Sequence, residues 1–209
     1  MLTTSISLKN FQLKKKDFQI KRFLTKLLKE NNQILVSLGK SYKDNFVKKK
    51  LKKYKNYNHF RIIGMGGSIL GSQTIYSFLR HKIKKNFSFI DNLDVTKKND
   101  KKKYVNLIIS KSGNTIETIA NSNIFIKKKD KNIFITENKK SYLYLLAQKL
   151  KSDIIHHNNY IGGRYSVLSE VGMLPAELMG LNTIKFRQLN YLIKNKKFIN
   201  ALIDNVNCT

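Results

Sequence analysis

The residues that could do chemistry lie in three short segments rich in glycine, hydroxyl groups and isolated cations. The first is GMGGS at residues 64–68, which follows an apolar run and precedes residues with a helical pattern. Backbone N–H groups at a helix start favour an anion, so Gly66, Gly67 and Ser68 are candidates for a phosphate site. A tight turn that needs positive φ explains the same glycines equally well.

Two better-known phosphate patterns do not fit this segment. A dinucleotide fingerprint needs its third glycine where Ile69 stands, although Asp91 follows at a distance suited to a ribose-binding acid. A Walker A loop is matched by the spacing of Gly66 and Gly71, but Ser72 occupies the position of the required lysine. Each pattern therefore lacks a residue that its chemistry requires.

The second segment is SKSGNT at residues 110–115, again between an apolar run and a helical pattern. It carries three hydroxyl groups and one cation, on Ser110, Ser112, Thr115 and Lys111. Hydroxyl donors and an ammonium group suit a phosphate monoester, which presents three acceptor oxygens. Alternatively, Ser112 or Asn114 could cap the following helix, with Glu117 favouring its positive end.

The third segment is GGRYS at residues 162–166. The guanidinium of Arg164, held in a glycine turn beside Gly163, stays ionised and offers several donors, so it could oppose negative charge that develops on an oxygen. A surface turn with an incidental arginine is the alternative. The segment gains significance from the other two.

Elements that would position these segments alternate between strands and helices. The apolar runs predict five strands, at 60–64, 87–91, 105–110, 133–136 and 154–156, and the helical patterns fall at 68–80, 115–127, 141–151 and 166–179. This alternation predicts an α/β fold with a doubly wound, flavodoxin-like, mostly parallel five-stranded sheet. Because such sheets bind ligands beyond the carboxyl ends of their strands, the three segments should converge on one crevice.

Flanking regions predict two appendages. An amphipathic helix is indicated by the spacing of Phe18, Phe23, Leu24, Leu27 and Leu28, and residues 41–57 read as a polar, lysine-rich connector. We therefore expect a helical arm and linker over 1–57, the α/β domain over 58–182, and a truncated helical tail over 183–209.

Charge and cysteine content limit the possible binding partners and the cellular compartment. The formal net charge is +28, from 41 Lys+Arg against 13 Asp+Glu, which admits nucleic acid or anionic membranes as partners. Lysine runs at linkers, without interleaved arginine and aromatics, favour solvated surface instead, so no nucleic-acid partner is expected. The single cysteine, Cys208, excludes an internal disulfide, and no apolar run suggests a signal peptide or membrane span, so a cytoplasmic location is expected.

Taken together, the three segments resemble the glucose-6-phosphate isomerase family in their order and approximate separations. Residues 92–94, with the sequence NLD after the second predicted strand, resemble that family's motif too, and the likeness runs from about residue 59 to residue 180. It corresponds to the N-terminal one of the family's two sugar-isomerase (SIS) domains. The resemblance implies interconversion of glucose 6-phosphate and fructose 6-phosphate in glycolysis and gluconeogenesis, with no metal and no other cofactor.

The resemblance also implies a role for each candidate residue. A phosphate clamp would be formed by Ser68, Ser110, Lys111, Ser112 and Thr115, and the pocket would be lined by Gly66, Gly67 and Glu117. Gly163 and Arg164 would lie beside C1 and C2 of the sugar, where Arg164 stabilises a cis-enediolate. The Gly113-Asn114 pair departs from the Phe-Thr of many members and resembles simpler SIS domains.

The family's proton-transfer groups have no counterpart in this sequence. Its catalytic glutamate, assisting histidine and late lysine follow the stretch matched here, and neither Glu170 nor Glu177 fits the glutamate motif. His156 and His157 are expected to end the last strand. We therefore expect an incomplete N-terminal portion of an isomerase, completed in a homodimer or by a C-terminal half. A non-catalytic SIS domain that binds or senses a phosphosugar is the alternative.

Overall fold

The fold is seen in a computed structural model that describes residues 18–30, 32–93, 102–127, 130–187 and 195–208. At its centre is a five-stranded sheet in the order β2-β1-β3-β4-β5, with every neighbouring pair parallel. The strands are β1 (His59–Gly64), β2 (Asn86–Ile90), β3 (Val105–Ile109), β4 (Lys131–Thr136) and β5 (Asp153–His156). This order is the flavodoxin-like one, so the predicted fold class is confirmed.

α-Helices alternate with the strands along the chain and also precede and follow them in sequence. They are α1 (Phe18–Lys29), α2 (Gln33–Ser37), α3 (Leu70–Phe78), α4 (Ile116–Phe125), α5 (Tyr142–Lys149), α6 (Glu170–Leu178) and α7 (Lys196–Cys208). Two helices begin later than the sequence predicts, because 3₁₀ turns over Gly66–Ser68 and Gly163–Leu168 precede α3 and α6. Both turns lie in the candidate functional segments.

Apolar side chains from alternating strand positions build the core. Ile63, Ile108 and Phe134 pack with Leu143 and Ala147 of α5 on one face of the sheet. All five residues of β3 are buried, as is typical of a central parallel strand covered on both faces. Each fully buried side chain of this size contributes about 1.5–3 kcal/mol, so the core holds the strand ends in a fixed frame.

The lysine-rich stretch before β1 differs from the connector that its composition predicts. A 3₁₀ helix runs over Lys48–Tyr54, and within it Leu51 and Tyr54 are buried while the lysines are exposed. Positions three apart lie on one side of a 3₁₀ helix, so two apolar residues suffice to anchor it. The phenol of Tyr54 donates a hydrogen bond of 2.8 Å to Asp153. Burial of the phenol is the main cause that raises the pKa of Tyr54, and the Asp153 carboxylate raises it further.

The chain divides into two compact units. Residues 43–183 form the α/β unit, and the described residues before 43 and after 183 form a second unit, in which α1 packs against α7. The helix predicted near the N-terminus is confirmed as α1, although none of its residues is buried. Among the described residues, no helix has both the length and the apolar character needed to cross a bilayer.

A candidate phosphosugar site at the carboxyl edge of the sheet

The first and third segments touch each other through glycine. β1 ends at Gly64, and the chain then turns through Gly66, whose φ is +52°. Gly67 lies so close to Gly163 that a Cβ there would overlap the Gly163 carbonyl group. The hydroxyl of Ser166 lies 3.2 Å from the Gly67 carbonyl oxygen and 2.8 Å from that of Gly163. The two segments therefore form one continuous surface.

The second segment leaves the sheet beside the first. Gly64 is paired in register with Ile109, the last residue of β3, so the segments begin on neighbouring strands at the same level. The hydroxyls of Ser110 and Thr115 lie 2.9 Å apart, and the Gly113 N–H approaches both the carbonyl and the hydroxyl oxygen of Ser110 at 3.2 Å. These contacts fold the segment back on itself and fix the direction in which it enters α4.

Asn114, which the sequence suggests as a cap of α4, instead caps α5. The Asn114 carboxamide oxygen accepts from the Tyr142 N–H over 2.9 Å and so caps the neighbouring α5. Ser112 Oγ accepts from the Asn114 N–H at 3.3 Å, and Thr115, the N-cap of α4, makes no side-chain cap. The first N–H groups of α4 thus remain available to an anion.

Lys111 connects the segments that follow three successive strands. Its ammonium donates to the carbonyl oxygen of Asn159 over 2.6 Å and lies 3.5 Å from the carboxylate of Glu137. Its carbonyl oxygen accepts from the Glu137 N–H at 3.1 Å and from the Thr136 hydroxyl at 3.2 Å. Glu137 and Asn159 are not among the residues that the sequence predicts, although both closely follow strands at this edge.

Three of the predicted site residues lack partners within the described part of the chain. The side chains of Ser68, Glu117 and Arg164 make no hydrogen bond or ion pair with any other residue that the structure describes. Arg164 is exposed on the 3₁₀ helix Gly163–Leu168, whereas Ser68 and Glu117 are partly buried. An ionised guanidinium at the same edge as unengaged hydroxyl and N–H donors suits an anionic, hydroxylated ligand.

All ten predicted site residues therefore lie at the carboxyl edge, on the three segments or in the first turn of α4. The structure joins the first segment to the third by direct contact and sets the second beside the first by strand register. Of the motif at 92–94, the Asn92 carbonyl oxygen accepts from the Asn121 amide of α4 at 2.9 Å, and Asp94 lies outside the described residues. In the part of the chain that the structure describes, no cluster of His, Cys, Asp and Glu could hold a metal ion.

Comparison with known proteins finds similarity to phosphoglucose isomerases both in a family model and in individual relatives. Residues 30–205 match the family model described as phosphoglucose isomerase. A glucose-6-phosphate isomerase of Methanocaldococcus jannaschii is 34% identical over 187 residues, which cover 79% of this chain and 46% of that protein. One from Acholeplasma laidlawii is 33% identical, covering 71% of this chain and 42% of its own length. The chain thus spans less than half the length of these curated relatives.

Solved structures share the fold. A hypothetical protein from Thermus thermophilus superposes with a TM-score of 0.69 at 21% identity, covering 91% of this chain and 51% of that one. A tagatose-6-phosphate ketose/aldose isomerase from Escherichia coli has a TM-score of 0.54 at 17% identity, covering 75% of this chain and 48% of that one. At these identities the likeness speaks for architecture alone.

The match to the family model spans most of the chain and includes all three segments at the carboxyl edge. On that evidence, the chain belongs to the phosphoglucose isomerase family.

Proposed function

We propose that this chain forms the phosphosugar-binding portion of a glucose-6-phosphate isomerase, an aldose–ketose isomerase that interconverts glucose 6-phosphate and fructose 6-phosphate. The observation that carries the proposal is the contact of Gly67 with Gly163, which sets the segment bearing Arg164 against the segment bearing Ser68. Family membership supplies the reaction, and the relatives named above carry that enzyme name.

The phosphate group is bound by hydroxyls and main-chain donors. Ser68, Ser112 and Thr115 supply hydroxyl groups, and the uncapped N-terminus of α4 adds N–H groups and a favourable partial charge. The hydroxyl of Ser110 orients Thr115, 2.9 Å away. The Lys111 ammonium is held by Glu137 and Asn159. It therefore stabilises the negative charge of the phosphate by its electrostatic field and not by direct contact.

The sugar end of the substrate lies towards Gly163 and Arg164. Proton transfer between C2 and C1 passes through a cis-enediolate, whose oxygen carries developing negative charge. Arg164 has no partner in the described part of the chain, so its donors are available to that oxygen. Gly163 has no side chain, which lets the ligand approach its backbone closely.

The general base comes from outside the residues described above. Three carboxylates near the carboxyl edge are engaged elsewhere: Glu170 accepts from the Asn45 N–H, Glu177 pairs with Lys48 at 2.7 Å, and Glu137 pairs with Lys111. Glu117, which has no partner among the described residues, lines the pocket and is assigned no proton-transfer role. Since a proton-transfer group contributes about 10²–10⁴-fold, the chain by itself should isomerise slowly, and a second subunit or a complementing C-terminal half should restore the rate.

Ligand-dependent melting tests this proposal. Fructose 6-phosphate at about 100 times its dissociation constant should add roughly 2.7 kcal/mol of stability, and more than inorganic phosphate adds at the same concentration. The Ser112→Ala variant should lose the response to both ligands, and Arg164→Ala only the excess produced by the sugar. If neither ligand shifts the melt, or if NAD alone does, the proposal fails.

A phosphosugar-binding module without catalysis is the second candidate. It is favoured by the engagement of Glu137, Glu170 and Glu177 noted above, because binding requires no base. A coupled assay separates the two candidates. Turnover that appears only when a C-terminal half from a relative is added supports the isomerase, whereas tight binding with no turnover under any combination supports the module.

A further inference from the structure

A buried histidine contacts both ends of the segment that carries Gly163 and Arg164. His157 directly follows β5 and is 3% exposed. Its Nε2 lies 3.0 Å from the carbonyl oxygen of Ile161, and its Nδ1 lies 3.5 Å from Oε2 of Glu170. Ile161 and Glu170 are themselves fully buried and bracket residues 162–169. One imidazole therefore joins the entry and the exit of this segment.

The hydrogen-bond partners determine where protons lie on this ring. A carbonyl oxygen only accepts, so Nε2 of His157 must carry a hydrogen to bond Ile161. Without a second proton, the lone pair of Nδ1 would face a carboxylate oxygen in a site closed to water, which is unfavourable. A hydrogen shared between Nδ1 of His157 and Oε2 of Glu170 would remove this conflict.

Neighbouring bonds keep Glu170 in place at the start of α6. Its Oε1 accepts from the Asn45 N–H at 3.1 Å, and the Asn45 carboxamide donates to the His156 carbonyl oxygen at 3.0 Å. Ser169 donates its hydroxyl to the Ser166 carbonyl oxygen at 2.7 Å. The exit of the segment is thus built into a bonded frame that includes the chain before β1.

Resting on the function proposed above, we propose that His157 is a positioning residue that sets the place of Arg164 by joining Ile161 to Glu170. Arg164 is exposed and makes no bond to another described residue, so its place depends on the backbone of its segment, which is held at both ends as well as at Gly163. The phosphate-binding segment at 110–115 has no bond to His157 among the described contacts. Loss of His157 should therefore weaken recognition of the sugar and leave recognition of phosphate intact.

Nitrogen spectra test the protonation directly. The chain contains four histidines, and ¹⁵N-labelled imidazoles can be assigned by the signals that disappear in His157→Gln. At pH 7 we expect Nε2 of His157 to carry a proton that exchanges slowly, and Nδ1 either to carry a proton or to accept a hydrogen bond. A bare Nε2, or an Nδ1 free of any hydrogen bond, would overturn the proposal.

Binding measurements test the positioning role. His157→Gln should weaken fructose 6-phosphate binding about tenfold, since small displacements of a positioning group are costly, while the dissociation constant for inorganic phosphate should change less than about twofold. The double variant His157→Gln/Glu170→Gln removes the buried charge, and it carries the same expectation should the single variant fail to fold. His156→Gln is the matched control, because its ring stacks on Tyr144 and has no described bond to the segment; it should bind both ligands as the parent does.

The outcomes separate this inference from the function on which it rests. If the parent prefers fructose 6-phosphate over phosphate and the His157 variants keep that preference, the positioning role is wrong and the proposed function stands. A melting temperature that falls without a change in preference also overturns the positioning role, since it reveals only a structural one. If the parent shows no preference, the proposed function fails and the positioning role fails with it.

Discussion

The two edges of the sheet differ in whether polar side chains are left without partners. At the amino edge, the Asn106 carboxamide accepts from Arg61 and donates to Asn132 and Asp130, all between 2.9 and 3.2 Å. At the carboxyl edge, Ser68, Glu117 and Arg164 have no such partner among the described residues. A network that satisfies itself contributes stability, whereas polar groups left open are available to a ligand. The contrast supports the proposal that the carboxyl edge binds the ligand.

Glycine usage shows the same contrast. Gly66, Gly67 and Gly163 lie at the carboxyl edge, where backbones approach each other and the φ values of Gly66 and Gly113 are positive. At the amino edge, contacts are made by side chains and not by glycine backbones: Tyr54 and Lys53 each donate a hydrogen bond of 2.8 Å to the Asp153 carboxylate. Substitutions at the amino edge should therefore lower the free energy of unfolding without changing the affinity for fructose 6-phosphate. Substitutions at the carboxyl edge should lower that affinity without changing the free energy of unfolding, unless they cause a steric clash.

Asn106→Ala should produce the largest change. Asn106 is fully buried, and its loss leaves Arg61, Asp130 and Asn132 each short of a partner. Unsatisfied buried groups cost about 1–3 kcal/mol, so urea unfolding should show a loss of roughly 3 kcal/mol. The dissociation constant for fructose 6-phosphate, measured well below the melting temperature, should stay the same. A tenfold change in this dissociation constant would contradict the distinction between a stabilising amino edge and a binding carboxyl edge.

Gly67→Ala should affect both properties, because its Cβ would overlap the backbone of Gly163. Overpacking costs about 1–3 kcal/mol, and separating the first and third segments should abolish sugar phosphate binding. Gly66→Ala is the matched control. Its site is open but has a φ of +52°, so we expect about 1 kcal/mol of strain and a smaller loss of binding than in Gly67→Ala. Equal loss of binding in both variants would refute the contact as the cause.

Arg164→Ala should act on affinity alone. The side chain is exposed and bonds no described residue, so the free energy of unfolding should stay within about 0.5 kcal/mol of the parent value. A hydrogen bond to a charged group contributes about 1.5–3 kcal/mol, so fructose 6-phosphate should bind at least tenfold more weakly. Calorimetric titration provides the measurement, and unchanged affinity would remove Arg164 from the site.

Tyr54→Phe should give the smallest effect, and one that depends on pH. Burial first, and then Asp153, raise the pKa of Tyr54 above its ordinary value of 10.0. The folded chain therefore keeps the phenol proton while the unfolded chain loses it above pH 10, so stability falls as the pH rises. The variant should lose about 1 kcal/mol at pH 8, and its urea midpoint should fall less than that of the parent between pH 8 and pH 10.5. Parallel pH profiles would contradict a raised pKa of Tyr54 in the folded chain.

Sequence alone predicts the sheet and the three segments because both are local patterns. Apolar runs such as that of β3 end directly at the hydroxyl-rich and glycine-rich residues. The 3₁₀ turns at Gly66–Ser68 and Gly163–Leu168 escape prediction because glycine backbones permit several conformations. The anchoring of Leu51 and Tyr54 escapes it because the lysines around them dominate the composition.

Pairings between distant residues could not be predicted at all. Lys111 finds Asn159 and Glu137, and His157 finds Glu170, only after the strands are ordered. No spacing in a single sequence specifies such contacts, because they depend on which loops the sheet brings together. The residues of the candidate site can therefore be proposed from the sequence, whereas the bonds that orient them cannot.

Hydrogen exchange with and without fructose 6-phosphate tests most directly whether the carboxyl edge is the binding edge. Saturating ligand should slow exchange at the amides of residues 64–68, 110–118 and 162–166, and leave those of 104–106 and 130–132 unchanged. Protection that is absent, or that appears at the amino edge, would contradict the assignment of a phosphosugar site to these three segments.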